Sequence, residues 1–130
     1  MANPNIVAVT TIYGVTTYYA PSGTTDVVLL PNAASSGVVY KINQIVVANT
    51  TGSAANATVS IYTNGAVAQG SAPSGGTAYP IVSTVSVPAY ASLIAVDKTT
   101  SLYLMEGTSI SITSGTANSL TFSISYESIA

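Results

Sequence analysis

The side chains that could do acid–base or metal chemistry in this chain are Asp26, Asp97, Glu106 and Glu127, with Lys41 and Lys98 as the cationic side chains. Histidine, cysteine and arginine are absent. That removes the usual general base near neutral pH, the thiolate nucleophile and the soft metal ligands. A pair of carboxylates is what remains. Two acids flanking a glycosidic bond can hydrolyse it, and Glu106 with Glu127, brought together by folding, is the available combination. Acids this widely spaced, near expected strand ends, are better explained as solvated groups. Asp97-Lys98 falls where turn chemistry is expected. The residues therefore read as those of a protein that is not an enzyme and takes no metal or cofactor. Nucleic acid is not an expected partner either: two lysines against four acids cannot neutralise a phosphate backbone.

Charge is scarce throughout. Only 5% of the 130 residues are charged, against about 25% in an ordinary soluble domain. The surface must then be built from Ser, Thr, Asn, Gly and Tyr, and it lacks the repulsion that keeps proteins apart in solution. Such a chain reads as one that works in an assembly. Its length suits a single domain over residues 1–130, expected to expose roughly 6,300 Å² when folded. No apolar run approaches the ~18 residues of a membrane span, and no basic region followed by a hydrophobic block opens the chain. Neither a membrane partner nor secretion by a standard signal is expected.

The elements that would position these residues are strands. From Tyr79 to Glu106, β-branched residues dominate and polar breaks fall at 88–92 and 97–101, which predicts three strands in a row joined by hairpin turns. Leu93–Val96 is apolar at every position and predicts a strand buried on both faces. Along 38–49 the apolar parity changes between Ile42 and Ile45, which predicts a β-bulge or bend at Asn43 and Gln44, letting one strand serve two sheets or turn a corner. Asp26–Leu30 reads as a short strand stopped by Pro31, and Ala57–Thr63 as a strand closed by a positive-φ turn at Asn64-Gly65. Residues 65–77 read as an exposed mobile loop. Ile110 with Ile112, and Leu120, Phe122, Ile124 and Tyr126, mark the last two strands. About nine short strands at intervals near ten residues, without a helical period, predict an all-β antiparallel sandwich of jelly-roll or immunoglobulin-like type.

Residues 1–20 predict an N-terminal extended arm or strand set off from the body by the break at Pro21-Ser22-Gly23. Val7, Val9 and Tyr13 alternate along it, and Tyr18 and Tyr19 point to opposite faces. These five residues are the candidate interface, on an arm able to add as a strand to the sheet edge of a neighbouring subunit or of another protein in the assembly. Tyr40 and Tyr126 follow the apolar parity of their strands and read as core residues with a wet hydroxyl. Two sequons, at Asn49 and Asn56, carry no weight in a chain this rich in Ser and Thr.

Several segments carry a resemblance: residues 33–43 with Val46–Asn49, Gly76–Pro88, Val96–Leu104, and the ending Ser125-Tyr126-Glu127. Together they resemble small virion structural proteins of tailed phages that infect marine cyanobacteria, over most of the chain from about residue 33. The chain departs from that pattern around Tyr90-Ala91-Ser92 and at Met105. The resemblance implies a virion structural protein assembled in the host bacterial cytoplasm, specifically a capsid decoration (cement) protein. It would be a homo-oligomer, with a trimer favoured, that stabilises the shell through contacts with the major capsid protein or other virion proteins. The alternative it implies is a neck, tail or fibre-associated component that binds the host surface. No functional residue is carried over, since the family brings none.

Overall fold

Alternating apolar and polar residues give a strand one dry and one wet face, and two such sheets bury their dry faces against each other. The computed structural model describes residues 6–130; the polar lead Met1–Asn5 lies outside the described residues. The strands are β1 (Ile12–Tyr19), β2 (Val27–Asn32), β3 (Val39–Asn49), β4 (Ala55–Tyr62), β5 (Ala78–Val87), β6 (Ser92–Val96), β7 (Leu102–Leu104), β8 (Thr108–Ser114) and β9 (Leu120–Ile129). One 3-10 turn, Lys98–Thr100, joins β6 to β7.

One sheet has the order β1-β9-β3-β6, with β7 also on β3, and the other has the order β2-β8-β4-β5. All pairs are antiparallel. The pairing is nested: β4 with β5, β3 with β6 and β7, β2 with β8, β1 with β9. A long ribbon folded once and wound around a barrel gives this nesting, so of the two expected sandwiches the chain forms the jelly roll. Phe122, Ile124, Ile42, Ile45 and Val47 from the first sheet meet Leu29, Val59, Ile110 and Ile112 from the second in one continuous core. Each is fully buried, a gain of about 1.5–3 kcal/mol per side chain relative to exposure.

Two buried asparagines tie the sheets at their ends. Asn32, closing β2, donates from Nδ2 to the carbonyls of Val38 (3.1 Å) and Leu104 (3.0 Å). Asn49, closing β3, donates to the carbonyls of Ser53 (2.8 Å) and Val87 (3.0 Å), while its Oδ1 accepts from the Thr51 backbone N–H (2.9 Å). Each ties together carbonyls of two separate segments where the chain leaves one sheet for the other.

Several expectations are corrected. Leu93–Val96 is not a doubly buried strand. Among the described residues it pairs with β3 alone, Leu93 and Val96 face the core, and Ile94 is 59% exposed on the outer face. The three strands from Tyr79 to Glu106 are not successive hairpins: β5 belongs to the second sheet, and β6 and β7 lie end to end along the same edge of β3. The bulge is present, as a register shift between Ile42 and Gln44 against β9, but β3 stays in one sheet throughout. β2 runs through Pro31, which an edge strand tolerates because a missing N–H costs nothing on the open side.

Gly65 does not adopt positive φ. It is needed for room: a Cβ there would lie 2.0 Å from the Asn32 carbonyl oxygen. The 65–77 segment is tethered to the body. Val28 N–H donates to Ser71 O (2.9 Å), Gly70 N–H to Val28 O (2.8 Å), and Gln69 Nε2 to Leu29 O (2.9 Å).

Candidate functional site

The acidic side chains are placed apart, each with its own partners. Glu106 accepts from the Gly37 backbone N–H (3.0 Å) at the turn between β2 and β3. Glu127, on the outer face of β9, accepts from Asn43 Nδ2 (3.4 Å) and lies opposite Lys41 in register. Asp26 accepts from the Thr113 hydroxyl. Asp97 caps the 3-10 turn, accepting from the backbone N–H groups of Thr99 (2.9 Å) and Thr100 (3.2 Å) and from the Thr99 hydroxyl (2.6 Å). The Thr99 hydroxyl first, then the backbone N–H groups, hold its carboxyl below the ordinary aspartate range. Among the described residues no three His, Cys, Asp or Glu side chains gather as a metal site.

The candidate interface residues fall on two unlike pieces of chain. Val7, 91% exposed, and Val9, half-buried, lie in a turn segment before the sheet begins. The strand period expected from Val7 onward starts only at Ile12. Thr10 and Thr11 both donate to the Ala130 carbonyl, at 2.7 and 3.1 Å, and the ladder ends there. Residues 12–19 are therefore not a detached arm. They are an edge strand of the chain's own sheet, paired over their whole length with β9.

Along β1, Tyr13, Val15, Thr17 and Tyr19 register with Ser128, Tyr126, Ile124 and Phe122, the inward set of β9. Tyr19 packs on the core, whereas Tyr13, further along the edge, stays 63% exposed. Ile12, Gly14, Thr16 and Tyr18 face outward, with Ile12 55% and Tyr18 71% exposed. Tyr18 and Tyr19 do point to opposite faces.

Tyr40 and Tyr126 close one end of the core. They pack with ring centroids 4.8 Å apart and planes tilted by 55°, a geometry aromatic quadrupoles favour. Burial pushes both phenol pKa values up, and the neighbouring Tyr40 adds to the rise at Tyr126.

Beside the bulge lies an open groove of about 350 Å³, lined by the polar residues Asn43, Gln44, Asp97, Lys98 and Ser125. The sequence marks both halves, as a change of parity at Asn43-Gln44 and a charged turn at Asp97-Lys98. It does not mark that β6, the 3-10 turn and β7 run along β3 and so bring them together.

Comparison with models of protein families, with curated proteins and with solved structures finds no match to this chain. Among the described residues, no helix is long and apolar enough to cross a membrane.

Proposed function

We propose that this chain is a phage virion structural protein, a capsid decoration protein that stabilises the shell by contacts with the major capsid protein and with copies of itself. It acts without catalysis, metal or cofactor and is incorporated from the host bacterial cytoplasm. The observation that carries this reading is the pairing of a jelly roll with a nearly uncharged surface. Ile12, Tyr13, Tyr18, Tyr79, Tyr90, Ile94 and Tyr103 all stand exposed around it. Exposed apolar and aromatic groups gain most when covered, and with only 5% of the chain charged their burial takes few ions out of water. The fold adds an analogy only: jelly rolls serve as capsid and lectin domains alike.

The second reading, a neck, tail or fibre-associated part that binds the host surface, draws on the groove beside the bulge. Its amides, carboxylate and hydroxyl are groups that can exchange hydrogen bonds with sugar hydroxyls. Copy number separates the two. Quantitative mass spectrometry of purified particles should find this chain within about tenfold of the major capsid protein. A few copies per particle would favour the second reading, and absence from particles would overturn both.

A further inference from the structure

A sandwich has four strand edges, and three of them here are blunted. β5 carries Pro80, two register shifts against β4 and a positive φ at Thr84. The β2 edge is covered by residues 69–71, which hydrogen-bond Val28 and Leu29. The edge formed by β6 and β7 consists of two short pieces separated by the charged Asp97-Lys98 turn. Each is a recognised way of stopping sheets from adding to one another. The β1 edge has none of them. It runs eight residues without proline, without charge and without a register shift against β9, and among the described residues no strand pairs its outer side.

The hydrogen-bond phase shows which groups that edge offers. Thr11 and Ala130 exchange both backbone bonds, at 3.1 and 3.0 Å, so in antiparallel alternation Tyr13, Val15, Thr17 and Tyr19 also direct their N–H and C=O groups to β9. Ile12, Gly14, Thr16 and Tyr18 direct theirs to the open side.

We propose that β1 pairs with β1 of a second copy of this chain, antiparallel about a two-fold axis at Val15, joining two sheets into one. A two-fold normal to the sheet preserves side-chain face, so residues of like parity must lie opposite each other, and this register satisfies that condition. Ile12 meets the partner's Tyr18 and Gly14 meets the partner's Thr16 as hydrogen-bonded pairs that use every open group. Val15 meets the partner's Val15, and Tyr13 the partner's Thr17, as the closer pairs between them. Ile with Tyr and Val with Val are combinations that stabilise neighbouring strands.

A like-charge clash is what usually forbids a strand from pairing with itself, and no residue before Asp26 is charged. The nearest charge, Glu127, lies opposite Gly14 one strand inward. It would sit roughly 16 Å from its counterpart, three strand spacings across and two residues along, beyond the Debye length of about 8 Å. That self-compatibility selects a second copy over a foreign strand. The unit so built is a dimer, not the trimer implied by the resemblance.

The purified full chain tests this wherever in a virion it acts. Sedimentation equilibrium should show a concentration-dependent dimer. Thr16→Pro removes an N–H that the monomer leaves open and should weaken dimerisation about thirtyfold, for the two symmetric bonds lost, with an unchanged circular dichroism spectrum. Because the chain has no cysteine, Val15→Cys places a single thiol opposite itself, and mild oxidation should give a covalent dimer. Thr17→Cys, opposite Tyr13, should not. A monomer at about 1 mM, a trimer, or equal crosslinking at both positions would overturn the proposal.

Discussion

The Asn49 latch can be broken with a single substitution. Asn49→Ala removes the two donors that reach Ser53 and Val87 and the acceptor that orders Thr51. Ser53 is exposed and Thr51 half-buried, so their freed groups turn to water. Val87 is fully buried, and its carbonyl keeps only its ladder partner Ala55. Each of the three hydrogen bonds lost costs about 0.5–1.5 kcal/mol. The expected loss is about 3 kcal/mol, a large share of the roughly 5–15 kcal/mol that holds a domain of this size. Urea unfolding followed by tyrosine fluorescence should show the midpoint falling with the slope unchanged. Asn49→Asp sharpens the test. It keeps the acceptor but turns oxygen lone pairs toward two carbonyls, so at neutral pH it should be at least as damaging as alanine. The fold then favours the protonated acid, which raises the folded pKa. Stability should recover as pH falls through that raised value, because the acid regains a donor. A loss under about 1 kcal/mol for Asn49→Ala, or no acid recovery for Asn49→Asp, would refute the latch.

Gly65→Ala should cost more than about 3 kcal/mol, since its Cβ would meet the backbone oxygens of Asn32 at 2.0 Å and Thr108 at 2.6 Å. Gly14→Ala, with nothing within 4 Å, should change stability by less than about 0.5 kcal/mol; thermal melts of the two variants make the comparison. Asp97, held below the ordinary aspartate pKa by the Thr99 hydroxyl and its turn, adds stability that is full above the ordinary value and fades as pH falls through the lowered one. Acid titration of Asp97→Asn should show a shallower decline than the parent chain. Tyr40 and Tyr126 ionise above the ordinary range because of burial. Their contribution is full below about pH 10 and is lost as pH rises through the raised values. Tyr126→Phe should remove part of the phenolate absorbance that develops at the highest pH and soften the alkaline loss of stability.

Local pattern was legible in the sequence wherever one face is dry and the other wet. β9 reads directly from Leu120, Phe122, Ile124 and Tyr126, and the Asn43-Gln44 bulge reads from a parity change that a regular strand cannot make. Partnership was not legible. The turn after Val87 looks like a hairpin, but in a jelly roll it carries the chain from one sheet to the other, and no short-range signal distinguishes the two. Leu93–Val96 misled because edge position, not composition, decides whether the second face is covered. The 65–77 segment lacks apolar content, yet it is held by backbone groups and by Gln69. Asn49 stood in the sequence as part of a sequon without meaning, and its role depends on Val87, which only the fold brings near. Of the candidate interface, Tyr13, Tyr18 and Tyr19 fall on one strand, because their period continues to the end of the β9 ladder. Val7 and Val9 precede that ladder, in a turn segment, so their alternation does not make a strand.

Electron cryo-microscopy of purified particles carrying this chain tests the proposed function most directly. Jelly-roll density should repeat across the outer shell in contact with the major capsid protein, with the uncharged faces turned to neighbouring subunits. Density confined to the neck, tail or fibres, or no density for this chain on the particle, would contradict it.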